Sequence, residues 1–194
     1  MINIPVICGS TRRGRKTIRV AKFVHSTLSD RTGVTTPFVD LLELDLPMMK
    51  ERLRFDEDAP ESVRKWSGIV DEADGLVIVS PEYNHGYPGV LKNAIDYLLP
   101  EYDRKPVGIV TVSSGPFGGL ICLQALRLSV YGLGAFPVPA SLAVSKVGDN
   151  FSEDGKPTDP AWVGRTEKFL DTMIWFSEAI AAKKRSDLTR DEEE

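Results

Sequence analysis

No apolar run in this sequence reaches the roughly 18 residues that a membrane-spanning helix needs, so no membrane partner is expected. Nor is there an excess of cations. The 24 Lys and Arg stand against 28 Asp and Glu, and a net charge of −4 is the wrong sign for gripping a phosphate backbone. Nucleic acid is therefore excluded as the main partner. Cysteine is scarce: Cys8 and Cys122 form neither a disulfide framework nor a ligand pair, and both sit in apolar runs, as buried structural thiols do. His85 has no second His or Cys at ligand spacing and no paired Ser or Cys, so neither a metal site nor a triad is expected. The first residues lack the order of regions of a signal peptide, and a cytoplasmic protein is expected.

What is there is 194 residues with 42% apolar content, enough for one globular domain with a sizeable core. Five short β-rich runs recur at 2–8, 34–39, 75–80, 106–112 and 138–144. Pro5 and Pro37 cannot donate to a ladder, so the first two strands are expected to be shortened or bulged. The third and fourth runs are almost uninterrupted, as in strands covered on both faces. Between the runs lie helical stripes: Ile18, Ala21, Val24 and Leu28; then Val63, Trp66, Ile69 and Val70 behind Pro60; then Val90, Leu91, Ala94, Ile95 and Leu98 behind Pro88. A fourth helix is expected over 117–131 and a fifth over 162–183. Strands alternating with helices imply an open parallel sheet wrapped on both faces. Residues 184–194 are charged and without a stripe, and read as a frayed tail beyond a domain of residues 1–183. Apolar residues nearly encircle the fourth helix. It is either a tightly covered internal helix or, the reading favoured for so short a chain, a subunit interface.

In such a sheet, ligands bind beyond the carboxyl ends of the strands. The loop after the first strand, CGSTRRGRKT, sets Ser10, Thr11 and Thr17 beside a helix N-terminus and adds Arg12, Arg13, Arg15 and Lys16, a demand that a phosphate monoester meets. Neither a P-loop nor a G-x-G-x-x-G pattern is present. After the third strand, SPEYNHGYPG offers Pro81, Glu82, Tyr83 and Asn84, a mixture suited to a flat heteroaromatic ring. His85 is either a hydrogen-bonded loop residue or a substrate contact. After the fourth strand, SSGPFGG brings Ser113, Gly115, Gly118 and Gly119 as a small-residue bed. The segment 44–58, with Met48, Met49 and Arg52, is expected either to shape the mouth of this site or to be ordinary packing.

GSTRRGRKT, SPEYNHGYPGVLKNAIDYL and SSGPFGG together resemble the NADPH-dependent FMN reductase family, flavodoxin-like enzymes that include quinone, azo-dye and chromate reductases. The resemblance spans roughly residues 2–180 and is most specific in the middle motif. It implies a flavodoxin-like α/β fold with a five-stranded parallel sheet in the order 2-1-3-4-5, and a dimer or tetramer built through the third and fourth helices. It assigns Ser10, Arg12 and Thr17 to the FMN phosphate. Pro81, Glu82, Tyr83 and Asn84 fall to the ring and ribityl region, and Ser113, Gly115, Gly118 and Gly119 to the ring's other side. The implied reaction passes hydride from NADPH or NADH through flavin N5 to a quinone, azo dye, chromate or free flavin, by ping-pong kinetics. It needs no side-chain acid or base, so no catalytic residue is named. The alternatives are a flavodoxin-type FMN electron carrier that does not turn over NAD(P)H, and a flavin-free scaffold that keeps the fold.

Overall fold

The computed structural model describes residues 1–193, with side chains as far as residue 187. Its chain opens with β1 (Ile2–Asn3) and β2 (Val6–Cys8), and a second extended stretch forms β3 (Val34–Thr35) and β4 (Phe38–Asp40). The interruptions fall at the two prolines. Backbone bonding carries across both gaps: Ile4 N–H donates to Thr35 O at 2.8 Å, Val6 N–H donates to Pro37 O at 2.9 Å, and Pro5 O accepts from Val77 N–H at 3.0 Å. Each proline thus costs a ladder bond without diverting the strand, as expected. β5 (Leu76–Pro81), β6 (Pro106–Val112) and β7 (Phe136–Val144) complete a five-stranded, all-parallel sheet ordered β4-β2-β5-β6-β7, which is 2-1-3-4-5 by position. β7 begins two residues before the expected position because an edge strand tolerates Pro137 and Pro139.

Alternation along the central strands explains their unbroken apolar runs. Val77, Val79 and Val110 face a layer made by α1 (Thr17–Ser29) and α7 (Ala161–Glu193), where Val20, Val24, Phe169, Leu170 and Met173 are buried. Leu76, Ile78 and Ile109 face the opposite layer of α3 (Glu61–Asp71), α4 (Gly89–Asp96) and α5 (Leu120–Gly132), with Trp66, Leu91, Ala94, Leu123 and Leu126. Two single turns, α2 (Leu41–Leu44) and α6 (Val147–Asn150), carry too few residues to show a period and were not expected. The stop at residue 183 is not marked by a break in α7, and Lys184 Nζ still donates to Asp103 O at 3.0 Å.

α5 is buried on one side only. Cys122, Leu123, Leu126 and Val130 meet the sheet, while Ile121, Leu128 and Tyr131 are half or more exposed. The 44–58 segment is fastened to α4 by one buried amide. Asn93 Nδ2 donates to Pro47 O at 2.7 Å and Asn93 Oδ1 accepts from Met49 N–H at 2.8 Å, while Tyr97 OH also donates to Pro47 O. Met48, between the two anchored residues, stands out into solvent. No helix among the described residues is long and apolar enough to cross a membrane.

Candidate active site

Beyond the carboxyl ends of β2, β5 and β6 lies a crevice of about 500 Å³. Its first wall is the loop between β2 and α1. Arg15 does not reach for a ligand. Its guanidinium clasps Asp40 at the end of β4 through both oxygens, at 2.6 and 2.5 Å, and also donates to Ser10 O. Asp40 is almost fully buried and in turn caps α2 by accepting from Leu42 N–H at 3.0 Å. The bond to Asp40 pushes the Arg15 guanidinium above its ordinary pKa. Arg12, Arg13 and Lys16 remain exposed on the crevice wall, and Thr17 is buried at the first position of α1. No side chain among the described residues caps α1, and its first turn holds no acid. An uncapped helix N-terminus with loose cations beside it is what an anion requires.

The loop after β5 supplies the second wall. Tyr83 and Gly86 exchange both backbone bonds, Tyr83 N–H to Gly86 O at 2.8 Å and Gly86 N–H to Tyr83 O at 2.9 Å. Asn84 and His85 between them have φ of 49° and 63°. This is a two-residue type I′ hairpin turn, in which Asn is favoured at the left-handed positions. Asn84 and His85 are exposed at its tip, and neither borders the crevice. Tyr83 does, with its hydroxyl 3.1 Å from that of Ser10, which is fully buried. Glu82 turns its carboxylate to α5, where Oε2 accepts from Ile121 N–H at 3.1 Å and Cys122 N–H at 2.9 Å.

The third wall is the Ser113–Gly119 loop, held from both sides. Gly115 O accepts from Ser113 Oγ at 3.0 Å and from Lys146 N–H at 2.9 Å. Gly118 and Gly119 have φ of 65° and 82°, and a Cβ on Gly118 would come within 2.9 Å of the Ala143 carbonyl carbon. Glycine is required there for both reasons. Phe117, carried between the anchored ends, is 76% exposed on the crevice rim.

A larger hollow, about 690 Å³, lies at the other end of the sheet. Its buried Lys105 is committed to the Asp71 and Ala73 carbonyls at 2.8 and 2.6 Å, and acids outnumber cations on its rim. Among the described residues that line it there is neither an aromatic wall nor a cation without a partner. The smaller crevice has both. Its donors (backbone N–H, hydroxyl and guanidinium) fit a phosphate monoester, and Pro81, Tyr83 and Phe117 fit a planar ring, so the residues present suit FMN.

Residues 2–149 match the family of NADPH-dependent FMN reductases. The chain belongs to that family. It is therefore an oxidoreductase of a family that uses FMN and NAD(P)H. The NAD(P)H-dependent FMN reductase of Saccharomyces cerevisiae is 34% identical over 145 residues, 68% of this chain and 75% of the yeast protein. A 2-hydroxy-1,4-benzoquinone reductase from Burkholderia sp is 34% identical over 131 residues, 65% of this chain and 68% of that one. The fold is also that of the flavoenzyme NAD(P)H:(acceptor) oxidoreductase FerB from Paracoccus denitrificans, at TM-score 0.79 and 24% identity over 92% of this chain and 98% of FerB.

In this chain, Arg12, Thr17, Pro81, Glu82, Tyr83, Ser113, Gly115 and Gly119 all border the crevice. Ser10 lies behind Tyr83, Gly118 is pressed against β7, and Asn84 points away at the turn. Arg13, Lys16, Phe117 and Val147 border the crevice and were not singled out as cofactor residues. Phe117 was hidden because its loop read as small residues only. Both thiols are fully buried, and burial is the first cause that pushes Cys8 and Cys122 up to about 11.

Proposed function

We propose that the protein binds FMN in this crevice and passes electrons from NADPH or NADH to a small acceptor such as a quinone, azo dye, chromate or free flavin. The observation that carries the reading is the pairing, within one crevice, of the uncapped, cation-flanked N-terminus of α1 with a wall of Pro81, Tyr83 and Phe117. When bound, FMN supplies the hydride chemistry, accepting two electrons at N5 and releasing them to the acceptor. The chain's own work is binding and orientation. Arg12, Thr17 and the first N–H groups of α1 hold the phosphate, and buried Ser10 supports that end of the site through its bond to the Tyr83 hydroxyl. Pro81 and Tyr83 back the ring, and the backbone at Ser113, Gly115 and Gly119 borders its other side. Nicotinamide and acceptor would use the same face of the ring in turn, so ping-pong kinetics are expected. No side chain is required as acid or base.

A homodimer or tetramer through α4 and α5 covers the exposed stripe of Ile121, Leu128 and Tyr131, and the cytoplasm suits two unpaired thiols. The competing reading is a flavodoxin-type carrier. Stopped-flow NADPH oxidation by the FMN-loaded protein, with a panel of acceptors, separates the two: turnover with parallel double-reciprocal lines is expected. Tight FMN binding with no NADPH or NADH oxidation would leave the carrier.

A further inference from the structure

Among the described residues, Glu82 is the only anionic side chain on the wall of the crevice, against Arg12, Arg13, Arg15 and Lys16. The charge is also fixed. Two backbone N–H donors at the start of α5 hold Oε2, and the side chain is 22% exposed, with His85 Nδ1 3.9 Å from Oε1. A helix N-terminus left open would favour negative charge nearby, but here Glu82 takes up that positive end and adds a charge of its own. Hydride transfer carries two electrons and one proton from the nicotinamide to the ring. Unless a second proton follows from water, the ring gains one negative charge, which the acceptor later removes along with the electrons. A like charge nearby makes that gain less favourable.

Resting on the assignment of FMN to this crevice, we propose that Glu82 is a positioning residue that also sets the electrostatics of the site. By closing the N-terminus of α5 with a fixed carboxylate, it disfavours the charge gained on reduction, weakens the binding of reduced FMN relative to oxidised FMN, and lowers the reduction potential of the bound flavin. The bound cofactor is thereby a stronger donor to quinone-type acceptors than free FMN.

The test is Glu82→Gln, whose amide oxygen can still accept from Ile121 and Cys122 while the charge is gone. Affinities for oxidised and anaerobically reduced FMN are measured for the full chain, and the midpoint potential is followed by spectroelectrochemistry. The preference for reduced over oxidised FMN is expected to rise about tenfold, equivalent to a potential about 30 mV higher for a two-electron couple. Glu82→Ala, which removes charge and cap together and leaves the N-terminus of α5 open, should raise the ratio at least as much. An unchanged ratio in Glu82→Gln, or a rise confined to Glu82→Ala, overturns the proposal. Should the variants not fold, the midpoint potential of FMN bound to the wild-type protein is compared with that of free FMN, and a bound potential that is not the lower of the two overturns the proposal. A wild-type protein that binds neither form of FMN refutes the crevice assignment instead.

Discussion

Two helices begin at the crevice, α1 and α5, and their N-termini are finished in opposite ways. Both follow glycine-containing loops, and both offer unpaired N–H groups and the positive end of a helix dipole. At α1 the chain supplies no cap and surrounds the opening with Arg12, Arg13 and Lys16. At α5 it brings Glu82 across 39 residues of sequence to close the opening. A helix start is thus an anion site only where the rest of the chain declines to fill it. The difference also divides the crevice into a cationic end, where we propose the phosphate sits, and an anionic end, where we propose the ring sits.

The strongest way to break the comparison is to damage the scaffold that keeps α1 open. Arg15→Ala leaves Asp40 buried without its partner and should cost about 3 kcal/mol, roughly 10 °C in Tm, read by calorimetry. A fall within a degree would show that the clasp contributes nothing. Next, α1 can be made to imitate α5. Lys16→Asp places a carboxylate at the helix start in place of a cation, and FMN affinity should fall on the order of 100-fold in a fluorescence titration. Arg12→Ala removes a cation without closing the opening. We expect about tenfold weaker FMN binding with hydride transfer at saturating FMN little changed; an unaltered affinity would move the phosphate contact to Arg13.

The smallest effect probes what the two ends share, a buried thiol beside each. Cys8 and Cys122 rise from 9.0 to about 11 in the fold. The unfolded chain therefore loses those protons first. The stability this lends is complete below pH 9 and is lost as pH rises through about 11. Urea midpoints should decline between pH 9 and 11, and replacing both cysteines by alanine should flatten that decline.

The layers of the fold were legible because the strands are covered on both faces and the long helices on one, which prints a period into the sequence. α2 and α6 span one turn each and print none. The loops of the site were legible as compositions, and Arg12, Thr17, Tyr83 and Gly119 border one crevice. What stayed hidden were the internal commitments of charged groups. Arg15 looked as available as its neighbours until Asp40, 25 positions on, claimed it. Glu82 read as a ring contact, with no sign that its Oε2 also serves α5, and Asn84 read the same way although Asn followed by His between Tyr83 and Gly86 satisfies a left-handed turn. Local patterns report burial and turns, but pairings between distant residues need the folded chain.

The grip of Asn93 on the 47–49 backbone has a consequence for how such an enzyme diversifies. The amide reads main-chain atoms alone, so the fastening is indifferent to which side chain occupies position 48. Met48 works like an exchangeable tile on a permanent bracket: its replacement can retune the adjoining surface while the mounting beneath stays as it was.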